Sequence, residues 1–278
     1  MFKDVCEKMI DGYSNSVPMA KKEYLDEEGF LRCAICHERV EILVGVPELN
    51  IPKRKVRCIC SCIQKEQEAH KKQERQQAIA RMRNTCFGEA NMYNWTFEND
   101  DRRNAKISDA MIRYTEMFED FKKDSKGLLI YGPVGTGKSF YAACIANRLI
   151  DNMIPVFMTN TLRVTNELQG KFEGKQEYID GLNRYPLLII DDFGIERNTE
   201  YMNEVVYNII DSRYKSGLPF IVTTNLTAEQ IKKPQEVAYT RIYDRVLERC
   251  HPVKVEGGSR RRESLKASFN ETNELLGL

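Results

Sequence analysis

The sequence predicts an α/β fold: a mostly parallel five-stranded sheet with helices on both faces, preceded by a small cysteine-bearing domain. Three observations predict it. From Lys126 onward, short apolar runs alternate with longer helix-like runs, the pattern of a parallel sheet with crossover helices. Residues 132–139 form a glycine-rich turn between one such run and the next helix. Cys33, Cys36, Cys58, Cys60 and Cys62 crowd into a short segment near the N-terminus.

Strands are expected at residues 127–131, 154–159, 187–191, 219–224 and 252–255, with helices at 138–151, 199–215 and 236–249. Leu187–Ile190 and Phe220–Val222 are continuous apolar runs, as strands buried on both faces require. Trp95 and Phe97 are expected to pack on this core, with Asn99, Asp100 and Asp101 as a turn. Residues 66–84, EQEAHKKQERQQAIARMRN, lack Gly and Pro and favour helix, but carry almost no apolar stripe. They read as a solvated helical linker. The chain therefore divides into residues 1–65 with the cysteines, the linker at 66–84, and the α/β domain at 85–278.

Composition sets limits. With 278 residues, 42% hydrophobic and 30% charged, the chain can build a core beneath a polar surface. A net charge of +1 makes no global case for nucleic-acid binding, so such a surface must be local. Lys53, Arg54, Lys55 and Arg57 form one basic run and Arg260, Arg261 and Arg262 another, with Lys254 and Lys266 nearby; either phosphate contact or plain solvation explains them. The N-terminus shows no basic segment followed by an apolar one, and no apolar run reaches membrane-spanning length, so a cytoplasmic location is expected.

The glycine turn is Gly132-Pro133-Val134-Gly135-Thr136-Gly137-Lys138-Ser139, followed by Phe140. It matches the phosphate-binding pattern G-x-x-x-x-G-K-[ST]. Glycines let backbone N–H groups crowd an anion, and the following helix points its positive end at it. Lys138 is then expected to reach the β- and γ-phosphates of ATP, and Ser139 is the expected ligand for Mg²⁺. The run Leu187–Ile190 ends in Asp191 and Asp192. Asp191 is placed to hold Mg²⁺ through water, and Asp192 to orient or deprotonate an attacking water. A third run ends in Asn225, a candidate reader of the γ-phosphate or holder of the water. Arg241 and Arg245 are four apart and share a helix face with Asp244 and Glu248, so intrahelical ion pairs are one reading of that segment.

Thiolates at C-x-x-C spacing can share a tetrahedral Zn²⁺, and a second pair closes the site. Four of Cys33, Cys36, Cys58, Cys60 and Cys62 are expected to bind zinc: Cys33, Cys36, Cys60 and Cys62 are favoured, with Cys58 as competitor. Cys33 to His37 also spells the c-type haem pattern C-x-x-C-H, which a chain lacking an export signal would not use.

Taken in order, GPVGTGKS, LLIIDDFGIER, VTTNL and RIYDRVLE resemble the AAA+ ATPases of the DnaC-like helicase-loader and IstB-like group, over residues 85–266. The resemblance implies an αβα sandwich with strand order 5-1-4-3-2 and ATP hydrolysis that is slow until assembly or DNA stimulates it. It implies Asn225 as the sensor-1 residue and Arg245 as an arginine finger reaching a neighbour's ATP, with Arg241 a second basic residue of that motif. It gives Arg261 as the sensor-2 arginine, with Arg260 and Arg262 as alternatives. It further implies a replicative DnaB-type helicase bound through the N-terminal domain, single-stranded DNA, and a helical or ring-shaped homo-oligomer when ATP is bound. A helix at residues 161–170 after the second strand is the group's extra element, with Arg163 and Lys171 as DNA contacts. The alternative within the resemblance is an IstB-like transposition helper assembling on duplex DNA.

Overall fold

The computed structural model describes residues 2–20, 22–169, 174–194, 200–234 and 237–276. The chain forms two compact units, Met1–Gln77 and Ala78–Leu278.

The first unit comprises α1 (Phe2–Ser16), β1 (Glu23–Leu25), β2 (Leu31–Cys33), β3 (Glu41–Val46), β4 (Ile51–Arg57) and the start of α2 (Ser61–Cys86). β1 with β2, and β3 with β4, make two antiparallel hairpins. Its core is small: Cys33, Val40, Cys60 and Ile63 form a buried cluster with Ala20, Leu31, Cys36 and Cys62 packed around them, and Val17, Ile51 and Val56 are also buried. So few apolar side chains leave much of the cohesion to polar ties. Arg54 pairs with Asp11 at 2.9 Å and donates to the Glu7 carbonyl at 3.0 Å, fastening β4 to α1. Arg57 pairs with Glu23, and Lys55 donates to the Gly29 carbonyl. The basic run beside the cysteines is therefore largely spent inside its own unit.

The second unit adds α3 (Ala105–Glu116), α4 (Phe118–Lys123), β5 (Gly127–Tyr131), α5 (Lys138–Asp151), β6 (Val156–Asn160), α6 (Thr161–Leu168), α7 (Lys175–Leu182), β7 (Leu187–Phe193), α8 (Glu200–Ser216), β8 (Phe220–Thr224), α9 (Ala228–Lys232), α10 (Val237–Arg249), β9 (Cys250–Lys254) and α11 (Arg260–Leu276). The sheet is parallel throughout, in the order β6-β7-β8-β5-β9. Numbered from its first strand this is 5-1-4-3-2, as the resemblance implied. Alternate residues enter opposite cores. Leu128, Ile130, Leu187, Ile189 and Ile221 face the α5 side, with Tyr141 and Ile145. Leu129, Leu188, Ile190, Phe220 and Val222 face the other side, with Ile210 and Val246. Phe97 is buried and Trp95 partly so, both in the first of these cores.

The expected turn at Asn99–Asp101 is more than a turn. Asp100 is buried and accepts a hydrogen bond from the Ser108 hydroxyl. The expected linker helix is longer than its polar stretch: α2 continues to Cys86, where Ile79 and Met82 pack on the sheet's core. Among the described residues no helix is long and apolar enough to cross a membrane.

Candidate nucleotide site and cysteine cluster

β5 delivers the chain into the glycine loop, and the loop's geometry follows from its glycines. Gly135 and Gly137 adopt φ of +82° and +101°, the left-handed region that residues with a Cβ avoid. A Cβ on Gly135 would meet the Ser259 hydroxyl at 2.2 Å. Gly137 is the N-cap of α5 and no side chain caps that end, so the first N–H groups of the helix are left to an anion. The donor set, the glycine cradle and the uncapped helix fit the phosphates of a nucleotide.

Lys138 is buried, and its ammonium donates to the Pro133 carbonyl at 2.8 Å. Burial lowers its pKa, while Asp192 and Asp191 act in the opposite direction. Both acids therefore lie within electrostatic reach of the lysine. Asp191 is buried; burial raises its pKa, and hydrogen bonds from Thr223 and Ser139 pull it back. The structure thus brings Ser139 and Asp191 together, an oxygen pair of the kind Mg²⁺ prefers.

β7 does not run straight through its two acids. Its register against β8 shifts between Ile190 and Phe193, and Asp192 takes a φ of +51°. This is a bulge: one extra residue is accommodated and its side chain is re-aimed. Asp192 is exposed where Asp191 is buried. The Asp192 N–H, taken out of the ladder, donates to the Thr223 hydroxyl at 2.9 Å, and that hydroxyl donates to Asp191 Oδ1 at 2.5 Å. Sequence reasoning passed over Thr223; only its place two residues before Asn225, on a strand facing the acids, pointed to it. Asn225 itself is half-buried just beyond the end of β8.

The three arginines near the loop separate. Arg260 is tied down: its guanidinium pairs with Asp101 at 3.0 Å and lies 5.9 Å from the Phe140 and Tyr141 ring centres. Its N–H donates to the Gly135 carbonyl at 3.0 Å. Arg261 is exposed, and its charge acts to lower the Lys138 pKa. Arg262 is exposed.

Arg245 is not paired along its own helix. It reaches Asp211 on α8 at 2.5 Å and lies 4.8 Å and 5.7 Å from the ring centres of Tyr207 and Tyr214. Glu248 accepts instead from the Tyr214 hydroxyl, at 2.9 Å. Arg241 is exposed. Of the suggested DNA contacts, Arg163 lies on α6 against Gly88, beside a shallow depression lined by Asn160, Leu162 and Asn166. Lys171 lies outside the described residues, as does the side chain of Lys266.

In the first unit the sulfur atoms of Cys33, Cys36, Cys60 and Cys62 all lie within 4.8 Å of one another. The loop after Cys33 curls back on it: the His37 N–H donates to the Cys33 carbonyl at 2.9 Å, and the Ile35 N–H to the Cys33 sulfur at 3.4 Å. Four converging sulfurs, two of them buried, fit a tetrahedral metal site. Cys58 is not among them; its thiol donates to the Arg39 carbonyl at 3.5 Å. The four cysteines whose sulfurs converge are the favoured four.

The IstB-like ATP binding protein model matches residues 60–268. The replicative helicase loader DnaI of Bacillus subtilis is 25% identical over 208 residues, which cover 68% of this chain and 64% of DnaI. The similarity therefore spans less than two thirds of that relative's length. A putative ATP-binding protein in an insertion sequence of Mycobacterium tuberculosis is 26% identical over 171 residues, covering 60% of this chain and 68% of that protein. The crystal structure of DnaI superposes with a TM-score of 0.50 at 25% identity, covering 63% of this chain and 95% of the crystallised one. The fold is thus the AAA+ fold of DnaI and DnaC. The family match runs through the glycine loop, both acids and the last arginine run, and on its strength the chain belongs to the IstB-like ATP binding protein family.

Proposed function

We propose that the protein is an ATP-dependent loader that binds a replicative DNA helicase and places it on single-stranded DNA, in the cytoplasm. The observation that carries this reading is a four-cysteine unit ahead of a unit that carries the glycine loop, Lys138, Ser139, Asp191 and Asp192. The likeness to DnaI over 68% of the chain supports it.

In this reading the loop N–H groups and Lys138 hold the ATP phosphates, Lys138 exchanging its bond to the Pro133 carbonyl for the β- and γ-phosphates. Ser139 and Asp191 hold Mg²⁺, which when bound supplies charge neutralisation between those phosphates. Asp192, aimed outward by the bulge, orients the attacking water and accepts its proton. Asn225 steadies that water, Arg261 contacts the phosphates, and Arg245 serves the nucleotide of an adjacent copy. Cys33, Cys36, Cys60 and Cys62 hold Zn²⁺ and give a unit with a small core its shape. That unit docks on the helicase. ATP acts as a switch: the bound form holds DNA and partner, and hydrolysis releases them.

The test is to mix the full chain with its replicative helicase, with and without ATP and Mg²⁺, and weigh the products by light scattering. A stoichiometric complex supports the loader. The insertion-sequence relative favours a second reading, a transposition helper. No complex with helicase, together with assembly on duplex DNA, would decide for the helper.

A further inference from the structure

We infer that Thr223 is a positioning residue for the metal–nucleotide site, fixing the orientation of both acids at once. The inference rests on the nucleotide reading above and concerns a residue to which the sequence reading gave no role.

The argument is one of hydrogen-bond direction. Thr223 is completely buried on β8. Its hydroxyl has a single proton to give and lone pairs to offer. The Asp192 N–H can only donate, so the 2.9 Å contact makes the Thr223 oxygen an acceptor there. The proton of the hydroxyl is then free for Asp191 Oδ1, 2.5 Å away. The chain Asp192 N–H to Thr223 O–H to Asp191 carboxylate therefore has one polarity. It does two things. It replaces the ladder bond that the bulge removed, holding Asp192 at its left-handed φ of +51°. It also engages one oxygen of Asp191, so the carboxylate cannot rotate freely beneath Ser139. A valine of the same shape would fill the space yet take the acceptor from the Asp192 N–H and one donor from the Asp191 carboxylate.

Outer partners of metal-holding carboxylates commonly matter about 10- to 100-fold in metal affinity. The experiment titrates Mg²⁺ into the full chain with a fluorescent ATP analogue and follows anisotropy, alongside thermal unfolding. Expected for Thr223→Val is a rise of about tenfold or more in the Mg²⁺ midpoint, with metal-free nucleotide binding unchanged. Thr223→Ser, which keeps the hydroxyl, stays within about twofold of the wild type. A Thr223→Val protein that melts earlier but keeps the wild-type Mg²⁺ midpoint would show a merely structural role and overturn the inference. If the valine variant does not fold, Thr223→Cys, with its weak donor, is read in the same way: an unchanged midpoint overturns the inference and a raised one supports it. A wild-type chain that binds no nucleotide at all overturns the nucleotide reading itself, and this inference with it.

Discussion

Arg245 and Asp211 join α10 to α8 through a 2.5 Å ion pair, with the guanidinium flanked by the rings of Tyr207 and Tyr214. A residue that serves a neighbour's ATP must leave or share this seat. Arg245→Ala should bind nucleotide within about twofold of the wild type and lose turnover by 10²-fold or more. Lys138→Ala should be inactive for the opposite reason, since it cannot hold nucleotide but still carries Arg245. Mixing the two should restore turnover above either alone, measured as phosphate release. Additive, unrestored rates would exclude service between copies.

Lys138 itself gives a simpler measurement. A ligand at about 100 times its dissociation constant stabilises the folded state by about 2.7 kcal/mol. The wild type should show the corresponding rise in melting temperature with ATP and Mg²⁺, and Lys138→Ala almost none of it. An equal rise in both proteins would remove the lysine from the site.

The cysteine cluster makes a prediction about metal content. Purified protein should carry one Zn²⁺ per chain by elemental analysis. Cys60→Ser should lose it, and Cys58→Ser should keep it, because the Cys58 thiol is directed at the Arg39 carbonyl. A strong chelator should unfold the first unit, whose core is small and built around the four cysteines. Metal loss on replacing Cys58 would contradict the geometry.

Arg213 on α8 is fully buried and faces carbonyls only. It donates to Pro219, Tyr185 and Pro186 at 2.8–2.9 Å, and to Leu182 at 3.4 Å. It thereby gathers the chain entering β7 and the chain entering β8. Replacing it with Met strands these acceptors, at a cost of about 3–5 kcal/mol by urea unfolding. Lys should rescue little, since a single ammonium cannot reach a fan of acceptors that a planar guanidinium spans. A loss under about 1 kcal/mol would show the carbonyls to be satisfied by other means.

Much of the nucleotide-binding unit was legible because buried parallel strands are written as apolar runs. Leu187–Ile190 and Phe220–Val222 announce themselves, and the glycine loop marks the start of α5 between β5 and the helix. What was not legible depends on local departures from regular spacing. The bulge at Asp191–Asp192 leaves no trace in composition, so the division into one buried and one exposed acid, and the role of Thr223, had to be seen. Cys58 and Cys60 look equivalent at alternate positions. The chain leaves β4 at Arg57 and enters α2 at Ser61, so alternation no longer predicts which way a thiol points. Arg213 carries no mark in the sequence, because no pattern distinguishes a cation bound for carbonyls from one bound for water. β9 begins at Cys250, earlier than the expected 252, because Pro252 lies on an edge strand, where a missing N–H is tolerated.

The hydrogen bond from the Arg260 N–H to the Gly135 carbonyl has a consequence for where the chain can be cut. It latches the final helix to the mouth of the glycine loop, and Ser259 occupies the space that Gly135 leaves by lacking a side chain. A chain shortened to residue 257 would retain every letter of the phosphate-binding motif and yet lose the strap across it. The motif is necessary for the cradle, but its tautness is supplied from the far end of the polypeptide.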